Sequence, residues 1–154
     1  MAVPDDPQLA LDLIAGDLPA AQVQANALGL ELIRRAPESI DLLLPHHTAQ
    51  DNRDYLIRLR CDGYDGVAPS FQFVDPANPD LTGGQFWARM SGIGYARGDL
   101  GEVVFCTAGV REYHQHPSHR GEVHPKSTWR LARVVTLVWD YFFRSGDYIG
   151  PGVA

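Results

Sequence analysis

The sequence predicts an α+β fold in which helices pack on an antiparallel sheet. Three observations carry this: an apolar stripe at helical spacing near each end, short strand-like runs between them, and turn residues separating those runs. From Pro19 the chain reads as helix, because proline suits a first turn and Leu28, Leu32 and Ile33 keep helical spacing, with Pro37 as the stop. Residues 1–18 are acidic and punctuated by Pro4, Pro7 and Gly16, and are expected as a flexible N-terminal arm. Residues 19–150 are then a single domain.

Ile40 to Leu44 is a short apolar run, and Tyr55 to Arg60 alternates as a strand does. Phe71 to Val74 gives a further strand after the turn-rich CDGYDGVAP. Asp75 to Gly84 reads as loop, Phe86 to Met90 as strand or buried loop, and the glycine-rich Gly92 to Gly101 as irregular. Val103 to Cys106 is extended, and a histidine-rich loop follows. Ser127 or Thr128 is the expected cap of the last helix, whose stripe is Leu131, Val134, Val135, Val138, Tyr141 and Phe142, with Gly146 as its stop. Trp129 is expected to close the core. Trp139 and Phe143 fall beside the stripe, so one side of this helix is a candidate partner surface.

The 154 residues are 45% hydrophobic and 21% charged with net charge −6, which suits a folded domain. No basic block is present, so nucleic acid is not the expected partner. The acidic N-terminus does not match a signal peptide, and no apolar run approaches membrane-spanning length, so a cytoplasmic protein without membrane contact is expected. Two cysteines, Cys61 and Cys106, make no disulfide framework and are expected to stay reduced.

The chemistry concentrates between Cys106 and Trp129. Four of the six histidines, His114, His116, His119 and His124, fall there. Imidazole and thiolate suit nucleophilic, acid–base and metal chemistry near neutral pH. Cys106 is the candidate nucleophile, with His114, His116 or His119 favouring its thiolate or orienting an acceptor. The competing reading is a buried structural thiol. Cys61, among Asp62, Gly63 and Asp65, is expected to be structural. Arg111 and Glu112 belong to the site or form a surface pair that contributes little. His114 and His116 on an extended segment would share a face, and with Cys106 and either His119 or His124 they are the candidate ligands of a zinc ion in a non-catalytic module.

The run YLIRLRCDGYDGVAPSFQFV places Tyr64 five residues before Pro69, with Phe71 and Phe73 at alternating positions. It resembles the strand, Tyr-Pro turn and phenylalanine-bearing strand of ubiquitin-conjugating (E2) enzymes, with Asp65 and Ala68 where that family usually has prolines. Gly101, Val103 to Phe105, Cys106, Trp129 and the helix after it also follow the family's order. The resemblance is to divergent bacterial E2-like proteins. It implies a UBC-like fold: an N-terminal helix, an antiparallel strand meander, an irregular active-site segment and a C-terminal helix. It implies a thioester of a ubiquitin-like protein on Cys106, and an E1-like activating enzyme as second partner, with no cofactor. The family's His-Pro-Asn has no counterpart. DPANP follows Phe73, and Asn78 is not at the family's spacing, which leaves oxyanion stabilisation unassigned. His114-Gln115-His116-Pro117 also resembles the His-x-His-Pro of JAMM-type zinc isopeptidases. Ser127 is there followed by Arg130, where that family has its metal-binding aspartate, and no Glu-x-Gly general base is found.

Overall fold

The computed structural model describes residues 6–45, 53–64, 67–81, 110–115, 118 and 130–144, and the backbone of strands 88–90, 94–97, 102–105 and 148–151. Helix α1 spans Pro7–Ala27. The stretch expected as an arm is therefore helical from Pro7, twelve residues before the expected start at Pro19. The Asp6 carboxylate caps it by accepting the N–H groups of Gln8 (3.0 Å) and Leu9 (3.4 Å), and Pro7 supplies a preset φ without a wasted donor. Pro19 lies inside the helix at a cost of roughly 3 kcal/mol. Burial of Ile14 before it and Ala21 and Ala25 after it offsets that cost.

The expected continuation through Ile33 fails for a local reason. Gly29 takes a left-handed φ of 74°, the Gly29 N–H donates to Asn26 O (3.2 Å) and the Leu30 N–H to Ala25 O (2.9 Å). This pattern satisfies the last carbonyls and turns the chain away. Residues Glu31–Ala36 are strand β1, not helix.

Strands β2 (Ser39–Leu44), β3 (Tyr55–Arg60) and β4 (Ser70–Val74) follow as expected. Two more, β6 (Gly94–Arg97) and β7 (Glu102–Phe105), extend the sheet to the order β1-β2-β3-β4-β7-β6, with every neighbour antiparallel. Strand β6 lies in the glycine-rich stretch expected to be irregular, where glycine lowers strand propensity but sheet pairing overrides it. A separate pair is formed by β5 (Ala88–Met90) and β8 (Tyr148–Pro151).

The register stacks the apolar side chains in rows. Ile40 faces Leu59, which faces Phe71, and Leu42 faces Ile57, which faces Phe73. Both rows are fully buried on the face covered by α1 and by α3 (Leu131–Trp139). The stripe Leu131, Val134, Val135, Val138, Tyr141 and Phe142 is buried throughout, as expected. The start of α3 differs from expectation. Arg130 occupies the N-cap position in an extended conformation, without a side-chain capping bond. Ser127, Thr128, Trp129 and Gly146 lie outside the described residues. A π-helical turn, Asp140–Arg144, continues α3 and brings the Phe142 ring against Tyr55 (5.5 Å) and Phe73 (6.2 Å). Among the described residues, no helix is long and apolar enough to cross a membrane.

Candidate functional site

The described residues between β3 and β4 are tied to the rest of the fold by backbone and side-chain hydrogen bonds. The Cys61 N–H donates to Glu38 O (2.7 Å) and the Tyr64 N–H to Cys61 O (3.0 Å), while Gly63 takes the left-handed φ of 74° that closes the turn. The Tyr64 ring is buried, and its hydroxyl donates to the Asp17 carboxylate of α1. Arg130 approaches the same oxygen at 3.8 Å, so the turn, α1 and the start of α3 meet at one carboxylate. Burial, and then the hydrogen bond to Asp17, push the Tyr64 hydroxyl above its ordinary pKa.

Arg111 locks the next element to this turn. Its Nε donates to Ala68 O (3.0 Å), and its Nη2 donates to Arg60 O (3.2 Å) and Asp62 O (3.0 Å). Nη2 and Nη1 also reach the Asp62 carboxylate at 3.0 and 3.3 Å. The Arg111 backbone N–H donates to Pro69 O (3.0 Å), and Val110 before it is fully buried. These contacts fix helix α2 (Arg111–Gln115), which carries His114, against the β3–β4 turn. Arg111 is thus an anchor between segments. Its signal in the sequence was weak, because the acceptors are backbone carbonyls 43 and 51 residues away.

Of the expected nucleophile, histidines and metal ligands, His114 is the one whose side chain is described. It is half-buried on α2, edge-to-face with Tyr113 at 5.1 Å. It stands on a helix and not on the extended segment expected for a chelating pair. Cys106, His116, His119 and His124 lie outside the described residues. Around Cys106 the flanking sequence is held: Phe105 ends β7 paired with Gly94, and Val110 sits in the core. Among the described residues, no group of three or more His, Cys, Asp or Glu side chains could hold a metal ion.

Cys61 is structural, as expected. It is fully buried, with its thiol 3.7 Å from Leu59 O. Burial pushes the thiol from 9.0 up to about 12, against a smaller opposing pull from Arg111. The unfolded chain loses this proton first as pH rises, so stability is fully present below pH 9.0 and falls towards pH 12. The expected slope is about 1.4 kcal/mol per pH unit from this one group. Urea unfolding at a series of alkaline pH values checks it: Cys61→Ala should flatten the decline. An equally steep decline in the variant would place its origin elsewhere.

A buried ion cluster on the opposite sheet face escaped the sequence reading altogether. Asp41 is fully buried between Arg58 (Nε to Oδ1, 2.8 Å; Nη2 to Oδ2, 3.1 Å) and Arg35 (Nε to Oδ2, 2.9 Å). The only hint was an aspartate inside the run SIDLLL. Neither any protein-family model nor any curated protein matches this chain.

Proposed function

We propose that the chain is a divergent UBC-like conjugating protein that carries a ubiquitin-like protein as a thioester on Cys106. The observation that supports this reading is the architecture around the resembling residues. An N-terminal helix, a four-strand antiparallel meander and a C-terminal helix occur in that order. Tyr64 sits in the turn before β4, where Phe71 and Phe73 face the core. Arg111 adds a fixed α2, with the half-buried His114, just beyond Cys106 in sequence.

The reaction is a thioester exchange. The Cys106 thiolate attacks the carbonyl carbon of a ubiquitin-like protein already joined to a cysteine of an E1-like activating enzyme. One C–S bond forms, one breaks, and the E1 thiolate leaves and takes up the proton that Cys106 gave up, with no net redox change. His114 is the described imidazole available to favour the Cys106 thiolate or to orient the acceptor amine in the later aminolysis, with His116 and His119 sharing the role.

The experiment is adduct formation with an E1-like enzyme, ATP and a ubiquitin-like protein with a C-terminal glycine. Wild type and Cys61→Ala should form an adduct that thiol reductant removes, and Cys106→Ala should form none. An adduct retained in Cys106→Ala ends the reading. About one zinc per chain, lost in Cys106→Ser, would replace it with a zinc-holding module.

A further inference from the structure

Helix α1 is amphipathic in neither direction. Only Asp12 and Asp17 are charged among its 21 residues, and it has no lysine or arginine. One face is the core face of Ile14, Ala21 and Ala25. The outer face carries Leu9, Gly16, Ala20, Val23 and Ala27, all exposed, with Leu9 at 46% and Val23 at 69%. A Cβ added at Gly16 meets nothing within 4 Å, so this face opens outward. Gln8, Asp12 and Asn26 are exposed beside it, so the outward apolar surface is a stripe, and an exposed apolar stripe marks a contact surface.

At 100° per residue, Ala20 and Ala27 lie within about 60° of Gln24 around the helix. Gln24 is the link to α3: its Nε2 donates to Thr136 Oγ1 (2.8 Å), which donates in turn to Ala132 O (3.2 Å). Gln24 and Thr136 line a groove of about 470 Å³ between the two helices, together with Ala132, Arg133, Leu137 and Asp140. Arg133, Thr136, Leu137 and Asp140 follow the i, i+3, i+4, i+7 pattern of one helix face. The face begins with a cation, Arg133, and ends with an anion, Asp140, whose Oδ1 also lies 3.6 Å from the exposed Arg144 Nη1.

That order is self-complementary. In a two-fold pair, each residue i that meets j of the partner is matched by j meeting i. A two-fold axis between Thr136 and Leu137 sets Arg133 beside the partner's Asp140, and Asp140 beside the partner's Arg133. The axis passes beside Gln24, so the outer face of α1 is drawn into the same contact. We infer that the α1–α3 face binds a second copy of this chain as an antiparallel two-fold dimer. The absence of lysine and arginine from α1 argues against an anionic membrane as the occupant. Helices of these lengths offer roughly 30 by 20 Å, or roughly 1,200 Å² in total, the lower limit for a stable interface. The dimer is therefore concentration-dependent, and it stands independently of the thioester reading.

Sedimentation velocity over a concentration series tests it. Wild type should shift from monomer to dimer, and salt should weaken the association. Arg133→Asp should remain monomeric, as should Asp140→Arg, and the double variant should recover the dimer. Val23→Lys, at a site too exposed to disturb folding, should also remain monomeric while keeping the wild-type helical signal. Wild type that stays monomeric up to its solubility limit overturns the inference. So does a dimer that survives both Arg133→Asp and Val23→Lys, because a different face would then be in use.

Discussion

Arg58→Ala is expected to lower stability by about 3–5 kcal/mol, the cost of leaving a buried charge without its main partner. Asp41 has no exposed side-chain surface, and Arg58 supplies two of its three close guanidinium contacts. The bond to Asp41 also holds the Arg58 guanidinium above its ordinary pKa, so its charge is present at every pH of interest. The remaining partner, Arg35, is 38% exposed and offers one contact at 2.9 Å, too little to replace the lost pair. Arg58 further donates to Pro79 O (3.0 Å), so its loss also releases the loop after β4.

Arg35→Ala should cost far less, about 1 kcal/mol, because its side chain is partly exposed and Arg58 still pairs with Asp41. Replacing Asp41 and Arg58 together by leucine and methionine should recover most of the loss, since the only charge then left without its partner is that of Arg35, which reaches solvent. Urea midpoints for the three variants check the order. A loss below about 1 kcal/mol in Arg58→Ala would mean that water reaches Asp41.

Arg111→Ala is expected to cost about 2–4 kcal/mol, chiefly through the carbonyls of Arg60, Asp62 and Ala68, which lose their charged donor. The Asp62 carboxylate contributes little, because its side chain is 61% exposed, and Asp62→Ala should leave stability nearly unchanged. Arg111→Lys should restore only part of the loss, because an ammonium cannot span acceptors on both sides of the turn as the planar guanidinium does. The diagnostic readout is local. Amide exchange at residues 110–115 should speed up in Arg111→Ala by more than the global loss accounts for, since α2 has only five residues and is held by this anchor. Unchanged exchange there would show that packing of Val110 alone holds the segment.

Three strands were legible because they stand between turn residues and alternate in polarity. Ile40, Leu42, Ile57, Leu59, Phe71 and Phe73 announce one buried face, and the structure buries each of them. The α3 stripe was legible for the same reason at helical period. The boundary of α1 was misread although its signals were present. Asp6-Pro7 is a cap and first turn, and Gly29 is a stop, but Pro19 and the accidental spacing of Leu28, Leu32 and Ile33 suggested a later helix. Of the candidate site, the sequence singled out His114 by its company, while its helical setting and its proximity to Arg111's anchor were not readable.

The sequence by itself determined the α+β class, the three central strands and the core stripe of α3, because those depend on local periodicity and on which side chains leave water. Only the tertiary structure decided that Asp41 is a buried ion held by Arg35 and Arg58. It also decided that Arg111 ties α2 to a turn some 50 residues earlier, and that α1 presents a second apolar face outward. Each of these depends on pairing between residues distant in the chain, where a charge is structural or ornamental according to what folds against it, and no local pattern carries that information.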